Sequence, residues 1–414
     1  MTLFPPGFSW GASTSAHQIE GGNVASDWWY LEHAPGTFVT EPSGDACDSY
    51  HRWREDLALL AGAGFNAYRF SIEWARIEPA PGAFSMAQLD HYRTMIETAL
   101  ELGLRPLVTL HHFTNPAWLG AMGGWAHPDA PKLFARYAAT VAPILAGVEH
   151  VCLINEPNMV ALFPVLQQGG VAALGKELPA IDQASAQGLI AGHDAARAVL
   201  RDALPDARLG WSVAAQTYHP APGAEELAAV YQAESEDLFY TASAGDDWIG
   251  VQAYTCRRVK AEDGALLPDP RWDAKRTITG WEYYPAALAE CVRRVHAFTG
   301  LPIIVTENGI ATADDTERIA YTQAALDGLA EAMKDGVDVR GYFHWSLLDN
   351  YEWGSFDPTF GLVAVDRQTF VRTPKPSLAW LGGLAPENHL DPAISPSTPP
   401  ETTNPIASST AERN

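Results

Sequence analysis

Apolar runs recur along the chain, and amphipathic stretches fill the intervals between them. The runs are FNAYRFSI (65–72), RPLVTLHH (105–112), HVCLINEP (150–157), RLGWSVAA (208–215), DWIGVQAYT (247–255), LPIIVTEN (301–308) and VRGYFHWSL (339–347), and GFSWGAS (7–13) makes an eighth at the front. Each reads as a buried strand. In SAQGLIAGHDAARAVL, Leu189, Ile190, His193, Ala196, Val199 and Leu200 fall on one helical face. RIAYTQAALDGLAEAMKDG carries Ile319, Leu326, Leu329 and Met333 as a stripe and ends at Gly336, a suitable left-handed cap.

Strands that alternate with helices pair in parallel, because each crossover helix carries the chain back to the same end. Two closures satisfy that rhythm: an open doubly wound sheet and a closed (β/α)8 TIM barrel. The open sheet calls for a Gly-rich phosphate turn after its first strand, and SWGASTSAHQIEGG is not one. Eight units with long loop insertions fit the α/β barrel.

Composition changes once. From residue 385 the chain turns to Pro, Ser, Thr and Asn, so 385–414 is expected as a disordered tail and 1–384 as a single barrel domain. A formal net charge of −23 speaks against nucleic acid and against anionic membranes as partners. Cys47, Cys152, Cys256 and Cys291 are scattered and lack Cys-x-x-Cys spacing, which disfavours a metal centre or disulfide framework. The opening MTLFPPGFSW has no basic segment followed by an apolar stretch, and no run is long enough to span a membrane. A cytoplasmic protein without metal or cofactor is expected.

The chemistry sits at the strand ends, where barrel enzymes place it. Those ends supply Gln18, Arg69, His111 with His112, Asn155 with Glu156, Tyr254, Glu307, and Trp345 followed by Glu352 and Trp353. Singly, several have plain alternatives: a rim ion pair for Arg69, a helix cap for Asn155, core aromatics for Tyr254 and Trp345. Adjacent histidines on a strand point to opposite faces, so one should be buried and the other face the pocket. Glu156 and Glu307 resist a packing role, since glutamate is rarely buried without a partner. Two carboxylates, amide and imidazole donors and flat Trp faces suit sugars, whose glycosidic bonds are cleaved by a paired acid and nucleophile or base. Arg69 and the Tyr254 hydroxyl are expected to lower the pKa of Glu307 and keep it ionised, while Glu156, without a cation in its layer, keeps a proton.

The ordered blocks FPPGFSWGASTSAHQIEGG, YRFSIEWARIEP, VTLHHFTNPAWL, INEPN, VTENGIA and GYFHWSLLDNYEW, with FGLVAVD after them, resemble glycoside hydrolase family 1, the β-glucosidase family, from about residue 4 to about 384. The resemblance implies a retaining, exo-acting β-glycosidase on a (β/α)8 barrel, with a small β-glycoside or oligosaccharide as substrate. By position it makes Glu156 the acid/base, Glu307 the nucleophile, and Arg69 and Tyr254 the pair that positions Glu307. It puts Gln18, His112, Asn155, Glu352 and Trp353 around the terminal sugar and Trp345 beneath it. Retention would set the two carboxyl groups about 5–5.5 Å apart. Gln252-Ala253, Phe113 and Asn115 depart from the commoner family pattern, as does the stretch WGSFDPTFGLV.

Other activities read less well from the same residues. A 6-phospho-β-glycosidase would suffer from Glu352, which repels phosphate, and no Lys lies between Arg340 and Arg372. A carbohydrate-binding protein has no use for a poised carboxylate pair. β-Galactosidase, β-fucosidase or transglycosidase activity belongs to the same family and stays open beside β-glucosidase.

Overall fold

All eight apolar runs become the staves of one closed barrel in the computed structural model, which describes residues 4–169, 177–271 and 273–385. They are β1 (Ser9–Ser13), β2 (Ala67–Ser71), β3 (Arg105–His111), β4 (His150–Asn155), β5 (Arg208–Ala214), β6 (Trp248–Gln252), β7 (Ile303–Asn308) and β8 (Val339–Trp345). Every neighbouring pair is parallel, and β8 closes on β1 through Ser9↔Gly341 to Ser13↔Trp345.

The inside of the barrel is filled by Ala67, Leu107, Cys152, Trp248, Ile304 and Phe343, one residue from each of six strands. The remaining two strands contribute glycine, and for a steric reason. A Cβ on Gly11 would lie 2.4 Å from the Phe343 ring, and one on Gly210 would lie 2.3 Å from the Trp248 carbonyl oxygen. Bulky aromatics over bare backbone thus make a solid floor, above which the strand ends are free to carry polar groups.

Outside the barrel the helices pack on a continuous apolar layer. The helix Gln183–Ala203 buries Leu189, His193, Ala196 and Leu200 as its spacing predicts. His193 is a core residue, its Nε2 2.9 Å from Asp246 Oδ1 and its ring stacked on Trp211. In the helix Asp315–Lys334, Leu326 and Leu329 are buried while Ile319 and Met333 are half-buried. It closes as expected on Gly336 (φ +98°), with the Gly336 and Val337 N–H groups returning to the Met333 and Ala332 carbonyls at 3.0 and 3.1 Å.

Two small sheets sit outside the barrel. One joins Thr217–Pro220, Cys256–Glu262 and Ala265–Pro268, and the other is the ribbon Val363–Val365 with Arg372–Pro374. The first is built from the connections that follow β5 and β6, where the strand pattern announces only loop. Of the expected tail, only Ala385 lies among the described residues, and it is buried. No helix among those residues is long and apolar enough to cross a membrane.

Candidate active site

The polar strand ends converge on one cavity of about 720 Å³, lined by Gln18, His112, Glu156, Tyr254, Glu307, Trp345, Glu352 and Trp353 among others. Arg69 and Asn155 stand behind it, both buried. All ten predicted site residues therefore belong to one constellation.

Glu307 ends β7 and is held from both sides. Arg69, fully buried on β2, donates through Nη1 to Oε1 at 2.6 Å. The Tyr254 hydroxyl donates to Oε2 at 2.5 Å. Tyr254 is itself fixed, because its carbonyl accepts from the Tyr321 hydroxyl at 2.5 Å. Arg69 also donates through Nη2 to Asn155 Oδ1. That oxygen accepts a second hydrogen bond from Gln252 Nε2 at 2.8 Å, and Asn155 Nδ2 lies 3.3 Å from His112 Nε2. The Asn155 side chain is thus spoken for by Arg69, Gln252 and His112 behind the cavity, and the helix-cap alternative falls.

Glu156 follows directly on β4. Its N–H donates to the Ser212 carbonyl on β5 at 2.7 Å, and its carbonyl receives the Met159 and Val160 N–H groups of the next helix, each at 2.9 Å. The backbone there is left-handed, φ +45°. A side chain in that region costs about 1–3 kcal/mol. Phe113 (φ +69°) and Trp353 (φ +54°) share the conformation and line the same cavity. The Glu156 carboxyl accepts no hydrogen bond from the described residues.

This difference in partners separates the two carboxyls. Burial pushes Glu156 well above the ordinary range, the charge of Glu307 adds to the rise, and Arg69 offsets only part of it. Burial also raises Glu307, but Arg69 and the Tyr254 hydroxyl pull it back. The expectation that these partners would carry Glu307 below its usual value is corrected: desolvation outweighs them. The order survives: Glu156, raised further and without a hydrogen-bond donor among the described residues, holds a proton more readily than Glu307.

The other residues form a cup. Gln18 is pinned by the Ser15 hydroxyl at 2.6 Å and donates to Asn350 Oδ1 at 3.0 Å and the Tyr351 carbonyl at 2.7 Å. Trp345 Nε1 donates to Glu352 Oε1 at 3.1 Å, while burial lifts the Glu352 pKa well up. Trp353 stacks on His17, with planes 5° apart, and takes the edges of Trp28 and Phe113. His112 is held neutral by burial and by the charge of Arg69. His111 turns the other way to Asn115, 3.0 Å off, so the adjacent histidines share no ligand position.

Several residues of the cavity wall and the shell behind it carry no signal in the sequence pattern. Gln252 was noticed only as a departure, and the structure makes it a partner of Asn155. Asn115, another departure, has its N–H and Nδ2 on the Asp27 carboxylate at 2.9 and 2.8 Å. Asn350, Trp281 and Phe360 belong to loops whose course no strand pattern announces. The stretch GGVAALGKELPAID (169–182), which the sequence offers as a loop bearing on the leaving group, falls partly outside the described residues, which omit 170–176.

A carboxylate fixed between a guanidinium and a phenol, beside a second carboxyl whose pKa is pushed well up, can carry out displacement at an acetal carbon with proton transfer to the leaving oxygen. Amide, imidazole and indole groups around it suit a hydroxylated ring.

The family model described as glycosyl hydrolase family 1 matches residues 1–241 and 228–390. A 1,4-β-D-glucan glucohydrolase of Thermotoga neapolitana is 31% identical over 444 residues, covering 94% of this chain and all of that protein. Among solved structures, the crystal structure of a β-glycosidase is 42% identical with a TM-score of 0.84, covering 95% of this chain and 100% of that one. A β-glucosidase from Thermotoga maritima in complex with noeuromycin is 28% identical with a TM-score of 0.86, covering 94% and 100% respectively.

Proposed function

The chain belongs to glycosyl hydrolase family 1, and from that premise we propose how its own residues divide the work of a retaining β-glucosidase. It is an O-glycoside hydrolase of the β-glucosidase type. Glu307 is the nucleophile, and its carboxylate attacks the anomeric carbon of the terminal sugar. Glu156 gives its proton to the departing glycosidic oxygen, so the aglycone leaves neutral. In the second half-reaction Glu156, now ionised, takes a proton from water as the water displaces Glu307, which restores both groups.

The observation that carries this assignment is the asymmetry of partners. Among the described residues, Glu307 receives hydrogen bonds on both oxygens and Glu156 on neither. Gln18, Glu352 and Trp353 would cradle the far hydroxyls and stop the cavity behind one sugar unit, which fits exo action. Trp345 offers a flat face, and Asn155 and His112 supply donors near the 2-position. Four cysteines, all free, suit a reducing compartment such as the cytoplasm.

The test is the anomer first released. Proton NMR of 4-nitrophenyl β-D-glucoside hydrolysis should show β-glucose ahead of the α form. Early α-glucose would mean inversion and sink the nucleophile role of Glu307.

A further inference from the structure

The cavity is not uniform along its length. Its inner end carries Glu156, Glu307 and Glu352, while the outer wall carries arginines of the strand Cys256–Glu262 and the loop beyond it. Arg258 is occupied, because its Nε and Nη2 donate to Glu282 at 2.9 and 2.8 Å. Arg276 is held by the Gly280 and Arg271 carbonyls at 2.8 and 3.0 Å. Arg257 stands differently: it lines the cavity half-buried, beside the Tyr218 and Tyr231 phenols, and no carboxylate or carbonyl among the described residues accepts from it. In a chain of formal net charge −23, a guanidinium left without a carboxylate in a substrate cavity is a recognition element out of place as packing.

The surface around it is aromatic. Trp281 lies 5.6 Å from Tyr254 and 6.2 Å from Phe360, so these rings join the outer wall to the residue that positions Glu307. Phe163 lines the cavity as well. A ligand that satisfies this gradient puts a neutral sugar at the acidic end, a flat ring between, and an anion at Arg257. We infer that the leaving-group side of the cavity selects aromatic acids, so that the preferred substrates are β-glycosides of hydroxyaryl carboxylates. The inference rests on the hydrolase reading above and adds the class of aglycone to it.

The test compares 4-carboxyphenyl β-D-glucoside with its methyl ester on the wild type and on Arg257→Gln. Loss of a partly buried charge-assisted hydrogen bond should lower kcat/KM for the acid on the order of tenfold. The ester should stay within about twofold, and its rate doubles as the check that the variant folds. Arg257→Lys should recover part of the acid's rate. An equal effect of Arg257→Gln on both glycosides overturns the inference. Should the wild type turn over neither these nor 4-nitrophenyl β-D-glucoside, the hydrolase reading itself fails. Calorimetric titration with free 4-hydroxybenzoate then decides the anion site by itself: binding that Arg257→Gln abolishes supports it, and binding that is absent or unchanged removes it.

Discussion

Burial raises both glutamates proposed as catalytic, so at the scale of single residues the chemistry depends on how differently their neighbours treat them. The proposed mechanism needs Glu307 ionised and Glu156 protonated, which bounds activity by Glu307 on the acid side and Glu156 on the alkaline side. Tyr254→Phe deletes a donor to the Glu307 carboxylate. Its pKa must then rise, and the acid limb of the kcat/KM profile should move to higher pH while the alkaline limb holds. A stationary acid limb would mean that the phenol does not tune Glu307. Glu156→Gln removes the proposed proton donor and keeps the shape. For an alkyl β-glucoside, kcat/KM should fall by about 10²–10⁴. For 2,4-dinitrophenyl β-glucoside, whose leaving group needs no proton, it should change little. Equal losses on both substrates would show that Glu156 is not the acid.

At the scale of elements, the barrel stands on its glycine-and-aromatic floor. Gly11→Ala would force its methyl to within 2.4 Å of Phe343, and a packed interior tolerates such insertion at a cost of about 1–3 kcal/mol. Thermal unfolding should show a lowered Tm, with Phe343→Leu in the Gly11→Ala background restoring part of it. An unchanged Tm would mean that the floor is looser than these contacts imply. The strands were legible because both their faces are buried, which turns them into plain apolar runs. Their ends were blurred: the run 247–255 yields a strand only to Gln252, after which the chain turns to place Tyr254 against Glu307. The outer hairpin Cys256–Glu262 and Ala265–Pro268 was passed over, although Asp263-Gly264 is a hairpin turn signal and both residues do adopt positive φ.

At the scale of the molecule, function comes from closure. Arg69 and Glu307 are 238 positions apart in sequence and form one buried ion pair because β2 and β7 belong to the same ring. Strand-end polarity was enough to nominate both residues. The link from Gln252 to Asn155, the loops that bring Trp281 and Phe360 over the mouth, and the net direction of the Glu307 pKa needed the folded neighbourhood, since each depends on distance and burial across the barrel. The account as a whole turns on a covalent bond between sugar and Glu307. The measurement that tests it most directly is intact-mass spectrometry after incubation with an activated 2-deoxy-2-fluoro-β-glucoside, followed by peptide mapping. One fluoroglucosyl group on the peptide that contains Glu307 is the predicted result. A label on another carboxylate, or turnover of β-glucosides with no labelling, would contradict it.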